Sequence, residues 1–150
     1  MIQPQIKSDM VTAMKAKDPI KVDTLRGLMS AFTNELVASK RKPDEQLPDA
    51  DAVAVIKREV KKRKEASEAF RTGGRTESAD KEDKERTILE AYLPPSMSQD
   101  EIRIVAEAKK AELGITDKKE AGKLMGMVIK ELQGKADGGD VKAVVESLFA

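Results

Sequence analysis

An all-α fold in two helical lobes is what this sequence predicts, and three observations predict it. Apolar residues recur every three to four positions through most of the chain, and no stretch alternates with a period of two. Charged residues make up 37% of the 150 and aromatic ones 3%, in a mixture rich in Ala, Glu, Lys, Leu and Met that favours helices over sheets. Pro94-Pro95 cannot continue a helix and reads as a hinge or lobe boundary. It divides the chain into an N-terminal bundle of about four helices, residues 1–94, and a C-terminal three-helix lobe, residues 95–150.

The first helix is expected from Ile2, Ile6, Met10 and Met14, an apolar stripe at four-residue steps. Asp18 caps the second and Pro19 suits its first turn. Val22, Leu25, Met29, Phe32 and Leu36 give that helix the best amphipathic pattern in the chain. Residues 40–48 carry two prolines and mixed charge and break it. A third helix starts near Asp49 or Asp51, turns Val53, Ile56, Val60 and Phe70 inward, and stops at Gly73-Gly74. The fourth is almost wholly polar until Ile88, Leu89, Tyr92 and Leu93, so its beginning is expected to be solvated or held by side-chain pairs.

Beyond the double proline, Ser98 and Glu101 form a capping box for a helix that buries Ile102, Val105, Ala106 and Leu113 and ends at Gly114. Thr116 or Asp117 caps the next, with Ala121, Leu124, Met125, Val128 and Leu132 inside and Gly134 at its end. Asp137 caps a last short helix carrying Val141, Val144, Val145 and Leu148.

The chain has no cysteine and no histidine, which excludes disulfides, thiolate nucleophiles, the usual zinc ligands and any imidazole base. A net charge of +1 excludes a molecule that is basic all over. No apolar run is long enough to cross a bilayer, and the N-terminus shows neither a signal-peptide block nor a transit pattern. A cytoplasmic address is expected. No cofactor and no metal are expected either.

Four stretches invite a chemical reading. Lys61, Lys62, Arg63 and Lys64 belong to a basic run from Lys57, with Arg75 beyond it; such a run can neutralise phosphates, or it can be a solvated face pairing with Glu65 and Glu68. No aromatic rings are interleaved, which argues against base stacking. Gly122-Lys123-Leu124-Met125-Gly126 is no phosphate loop, because Asp117 stands where that motif needs a glycine. Its two glycines share a helical face at about 1 kcal/mol each relative to alanine. The close approach of a neighbouring helix, or of a partner's backbone, would offset that cost. In Gly134-Lys135-Ala136-Asp137-Gly138-Gly139, capping and turn chemistry explain all but Lys135, which is either solvated or a phosphate contact. Carboxylate pairs such as Asp80 with Asp83, or Glu82 with Glu85, lie in polar sequence where no shift toward catalytic use is expected.

Together these pieces resemble the GatB/YqeY family, specifically its stand-alone YqeY-like proteins, over nearly the full length. The match runs through Met14-Lys15-Ala16-Lys17-Asp18, Leu25-Arg26 and Asn34, then Arg63-Lys64-Glu65, Phe70 and Gly74-Arg75. It continues through Ile88-Leu89-Glu90-Ala91-Tyr92-Leu93-Pro94 and the two C-terminal glycine motifs. The resemblance implies a C-terminal lobe similar to the tail domain of the B subunit of the tRNA-dependent amidotransferase, a glutamine-dependent carbon–nitrogen ligase whose chemistry resides in other domains. It implies a non-catalytic module with tRNA, or an enzyme that modifies or aminoacylates tRNA, as partner. Gly122, Lys123, Gly126, Lys135, Asp137 and Gly138 are the positions it points to. Glu131 and Gln133 depart from the family pattern, which often carries lysines there. A protein adaptor without RNA contact, and an accessory role in amidotransferase activity, are the alternatives.

Overall fold

The computed structural model describes residues 1–132 and 134–150, and among them it contains seven α-helices and no strand. They form two compact units, Met1–Leu93 and Pro94–Ala150.

The first unit comprises α1 (Ile2–Lys15), α2 (Pro19–Ala38), α3 (Asp49–Thr72) and α4 (Thr76–Glu90). Asp18 accepts a 3.1 Å hydrogen bond from the Lys21 amide, and Pro19 follows in the first turn of α2. The core is Ile6, Leu25, Leu28, Phe32, Leu36, Leu47, Ala52, Val55, Ile56 and Leu89. Among the described residues Phe32 is the only ring fully inside, so aliphatic shape does most of the packing. Gln3 accepts a 2.7 Å bond from the Leu47 amide, and Asp49 one of 2.9 Å from Ile2. These fasten the α2–α3 loop to the start of α1.

Two of the expected core stripes shift. Met14 is exposed and Ala13 is buried in its place. Each four-residue step overshoots a helical turn by about 40°, so a stripe spaced only by fours rotates off the core within three steps. In α3 the buried positions are Ala52, Val55, Ile56 and Ser67, while Val53 is half-buried.

The second unit comprises α5 (Gln99–Leu113), α6 (Ala121–Leu132), entered through a 3₁₀ turn at Lys118–Glu120, and α7 (Gly138–Ser147). Its core is Ile102, Ala106, Ile115, Leu124, Val128, Leu132, Val141, Val144 and Val145. The capping box at Ser98 and Glu101 is complete. Gly114 ends α5 at φ +64°, a left-handed conformation that costs a glycine little. Asp117 caps the 3₁₀ turn, accepting from the Lys119 amide at 3.0 Å. Three bonds tie α5 to α7 and the residues after it: Gln99 to Asp140 at 3.0 Å, Arg103 to Ser147 at 3.1 Å, and Lys110 to the Leu148 carbonyl at 3.3 Å.

Candidate functional site

The basic run lies on α3, and most of it is occupied. Arg63 is the clearest case. Its guanidinium donates to Glu59 at 2.9 Å and lies 3.4 Å from Glu85 on α4, with all three side chains less than a fifth exposed. Lys62 pairs with Glu59 at 3.1 Å, Lys61 with Glu65 at 4.0 Å, and Arg58 with Glu35 on α2. Burial works to raise the Glu59 pKa, but hydrogen bonds from Arg63 and Lys62 outweigh it and hold the carboxyl below its ordinary value. Lys64 is exposed. Arg75 is exposed at the start of α4, with its guanidinium 5.1 Å from the centre of the Phe70 ring.

The polar opening of α4 is not held mainly by pairs within the helix. Ala79 is fully buried, and Arg71 on α3 reaches both Asp80 (3.2 Å) and Asp83 on α4. Hydrogen bonds from Ser67 and Arg71 lower the Asp83 pKa. Burial and the neighbouring Glu85 raise that of Glu82. The surroundings of these carboxylates are therefore not the fully polar ones the sequence suggested: α4 packs on α3, and the packing supplies both partners and desolvation.

The C-terminal lobe places the first glycine motif in the opening turns of α6, a helix about 18 Å long, and the second after its end. Asp137 accepts bonds from the amides of Gly139 (2.8 Å) and Asp140 (3.3 Å), capping α7. A Cβ on Gly139 would lie 2.9 Å from that carboxylate, whereas one on Gly138 would meet open space. Lys135 has an exposed side chain, and its carbonyl accepts from the Met97 amide at 3.0 Å.

Gly122 and Gly126 are exposed, and a Cβ built on either has nothing within 4 Å. No neighbouring helix approaches them, so that explanation of their cost does not hold. They lie on the outward side of α6, opposite Leu124, Val128 and Leu132. Lys123 and Lys130 are exposed on the same helix, and Lys118 and Lys119 on the turn leading into it. None of these four lysine side chains makes an ion pair among the described residues. Lys109 on α5 holds Glu131 at 3.5 Å, which takes that carboxylate out of competition. Gln133 lies outside the described residues. The lobe as a whole carries nine Lys and Arg against ten Asp and Glu, yet this face collects four unpaired cations around two bare glycines.

Lys118, Lys119 and Lys130 did not stand out in the sequence. Lys119, Lys123 and Lys130 follow one another at steps of four and seven, a helical period too sparse to notice without the glycines between them.

A model of the Yqey-like protein family matches residues 3–149. The chain belongs to this family. Among curated relatives, the mitochondrial protein named altered inheritance of mitochondria protein 41 recurs in several fungi. The version from Pyrenophora tritici-repentis is 23% identical over 91% of this chain and 74% of its own length. That from Eremothecium gossypii is 31% identical over 74% of this chain and 60% of its own. That from Kluyveromyces lactis is 30% identical over 79% of this chain and 66% of its own. The chain thus spans 60–74% of the length of these relatives. All three are named as mitochondrial, which overturns the cytoplasmic address expected from the sequence.

Proposed function

We propose that this YqeY-like chain is a non-catalytic binding module that holds the body of a tRNA through its C-terminal lobe, either directly or alongside a tRNA-handling enzyme. The observation that carries the reading is the outward face of α6, where Lys118, Lys119, Lys123 and Lys130 stand unpaired among the described residues. A polyanion gains most from such a face, because each neutralised phosphate releases bound counterions. Gly122 and Gly126 let its backbone come closer than any side chain would allow. The exposed run on α3 contributes less, since Arg63 and Lys62 are already committed to Glu59.

The test is a mobility-shift titration with unfractionated tRNA at low salt. A complex forming below roughly tens of micromolar and weakening steeply with added salt is expected. Replacing both Lys123 and Lys130 by alanine should reduce the salt slope by about two. No complex in that range overturns the reading.

An exposed apolar side chain favours a second reading. Ile104 on α5 is 70% exposed, more than any internal large hydrophobic of the chain. A protein partner that survives ribonuclease treatment after affinity purification would favour the adaptor role instead.

A further inference from the structure

Resting on the RNA reading above, we propose that the α6 face takes the sugar-phosphate backbone of a base-paired RNA segment rather than an unpaired loop. Single-stranded RNA is usually held by stacking its bases on aromatic rings or arginine planes. The C-terminal lobe has one aromatic residue, Phe149, and Lys110 already covers its ring at 4.7 Å. Its one arginine, Arg103, is engaged with Ser147. The lobe therefore has no free aromatic ring or arginine plane on which a splayed base could stack.

What α6 offers instead suits a duplex. Lys123 and Lys130 stand about 10 Å apart along the helix axis, with Lys118 and Lys119 one turn before Lys123. Between them Gly122 and Gly126 leave the helix surface bare, and a Cβ there would meet nothing. A slim helix edged with flexible cations fits the wide, shallow minor groove of A-form RNA, where shape, phosphates and 2′-hydroxyls are read without sequence. In B-form DNA the minor groove is narrow, and the major groove that admits a helix presents no 2′-hydroxyls. Glu120, exposed on the leading turn, is the one carboxylate among the residues from Lys118 to Lys130. Four lysines outnumber it.

The experiment uses the full chain and three competitors against labelled tRNA: an RNA duplex of about 16 base pairs, one of its strands alone, and the DNA duplex of the same sequence. The expected result is displacement by the RNA duplex, with the single strand and the DNA at least about tenfold weaker. Lys123→Glu with Lys130→Glu should weaken duplex binding at least about tenfold, and by more than Lys64→Glu on α3 does. A single strand that competes as well as the duplex, or equal competition by DNA, overturns the inference. So does duplex binding that survives the α6 pair and is lost with Lys64→Glu. If tRNA itself does not bind, the duplex is labelled directly. Duplex binding then upholds the inference while the tRNA reading falls, and no binding sinks both.

Discussion

The hydroxyl of Tyr92, just past the end of α4, donates a 2.6 Å hydrogen bond to Asp9 on α1. Eighty-three residues of chain separate the two, so this bond helps close the first unit. Burial first, and Asp9 second, push the phenol pKa upward. Replacing Tyr92 by Phe should cost about 1.5–3 kcal/mol in chemical denaturation, the usual worth of a bond to a charged acceptor. The sign of the pH effect follows. A phenol pKa raised by folding contributes stability that is whole below the unfolded value near pH 10 and is lost as pH rises through the folded one. Wild type should therefore lose more stability than Tyr92→Phe on titration above about pH 10, and parallel curves would contradict this.

Arg63 makes a sharper separation between structure and binding. It sits between Glu59 on its own helix and Glu85 on α4, largely out of solvent. Arg63→Met should destabilise the chain by about 2 kcal/mol, because it leaves two half-buried carboxylates without their shared cation. It should also flatten the acid limb. The depressed Glu59 pKa stabilises the fold above its ordinary range and is lost as pH falls through the lowered value. At temperatures where the variant is folded, its affinity for RNA should equal that of wild type. A loss of affinity with no loss of stability would make Arg63 a contact residue.

The fate of Arg63 shows where sequence reading stops. The starts of α2, α5 and α7 and the stop of α5 could be read from local chemistry, because the caps Asp18, Ser98 and Asp137 and the stop at Gly114 act within four residues of themselves. The basic run could be seen, but its partners could not. Glu85 is 22 positions away in sequence, and only the antiparallel packing of α3 on α4 brings it to Arg63. The same long-range packing hid Ala79, a lone small apolar residue in a polar stretch, at the bottom of the α3–α4 contact. In the C-terminal lobe the glycines were conspicuous but their surroundings were not. That Gly122 and Gly126 face open space depends on where α5 and α7 lie, which no spacing in α6 encodes.

The surroundings of Glu82 disfavour its charged form. Burial and Glu85 raise its pKa, while Arg63 acts the other way. A carboxyl whose pKa is raised on folding favours the fold when protonated and opposes it when ionised. Glu82→Gln should stabilise the chain by about 0.5 kcal/mol at pH 7, the scale of one like-charge helix pair. The gain should shrink toward zero as pH falls below about 4, where wild-type Glu82 is already neutral. A gain that persists unchanged at low pH would assign it to packing rather than charge.

Gly126 offers a test in which stability and binding move in opposite directions. It lies inside α6 with an exposed, unobstructed position for a side chain. Gly126→Ala should raise stability by about 1 kcal/mol through helix propensity alone, and Gly126→Leu by nearly as much. Neither side chain meets a neighbour that would have to shift. If the bare surface is there for an RNA backbone, leucine should hold that backbone away and weaken the complex, while alanine does so less. Melting curves and tRNA titrations on the same two variants decide the matter. A leucine variant that is more stable and binds as tightly as wild type would mean that the glycine serves no partner on this face.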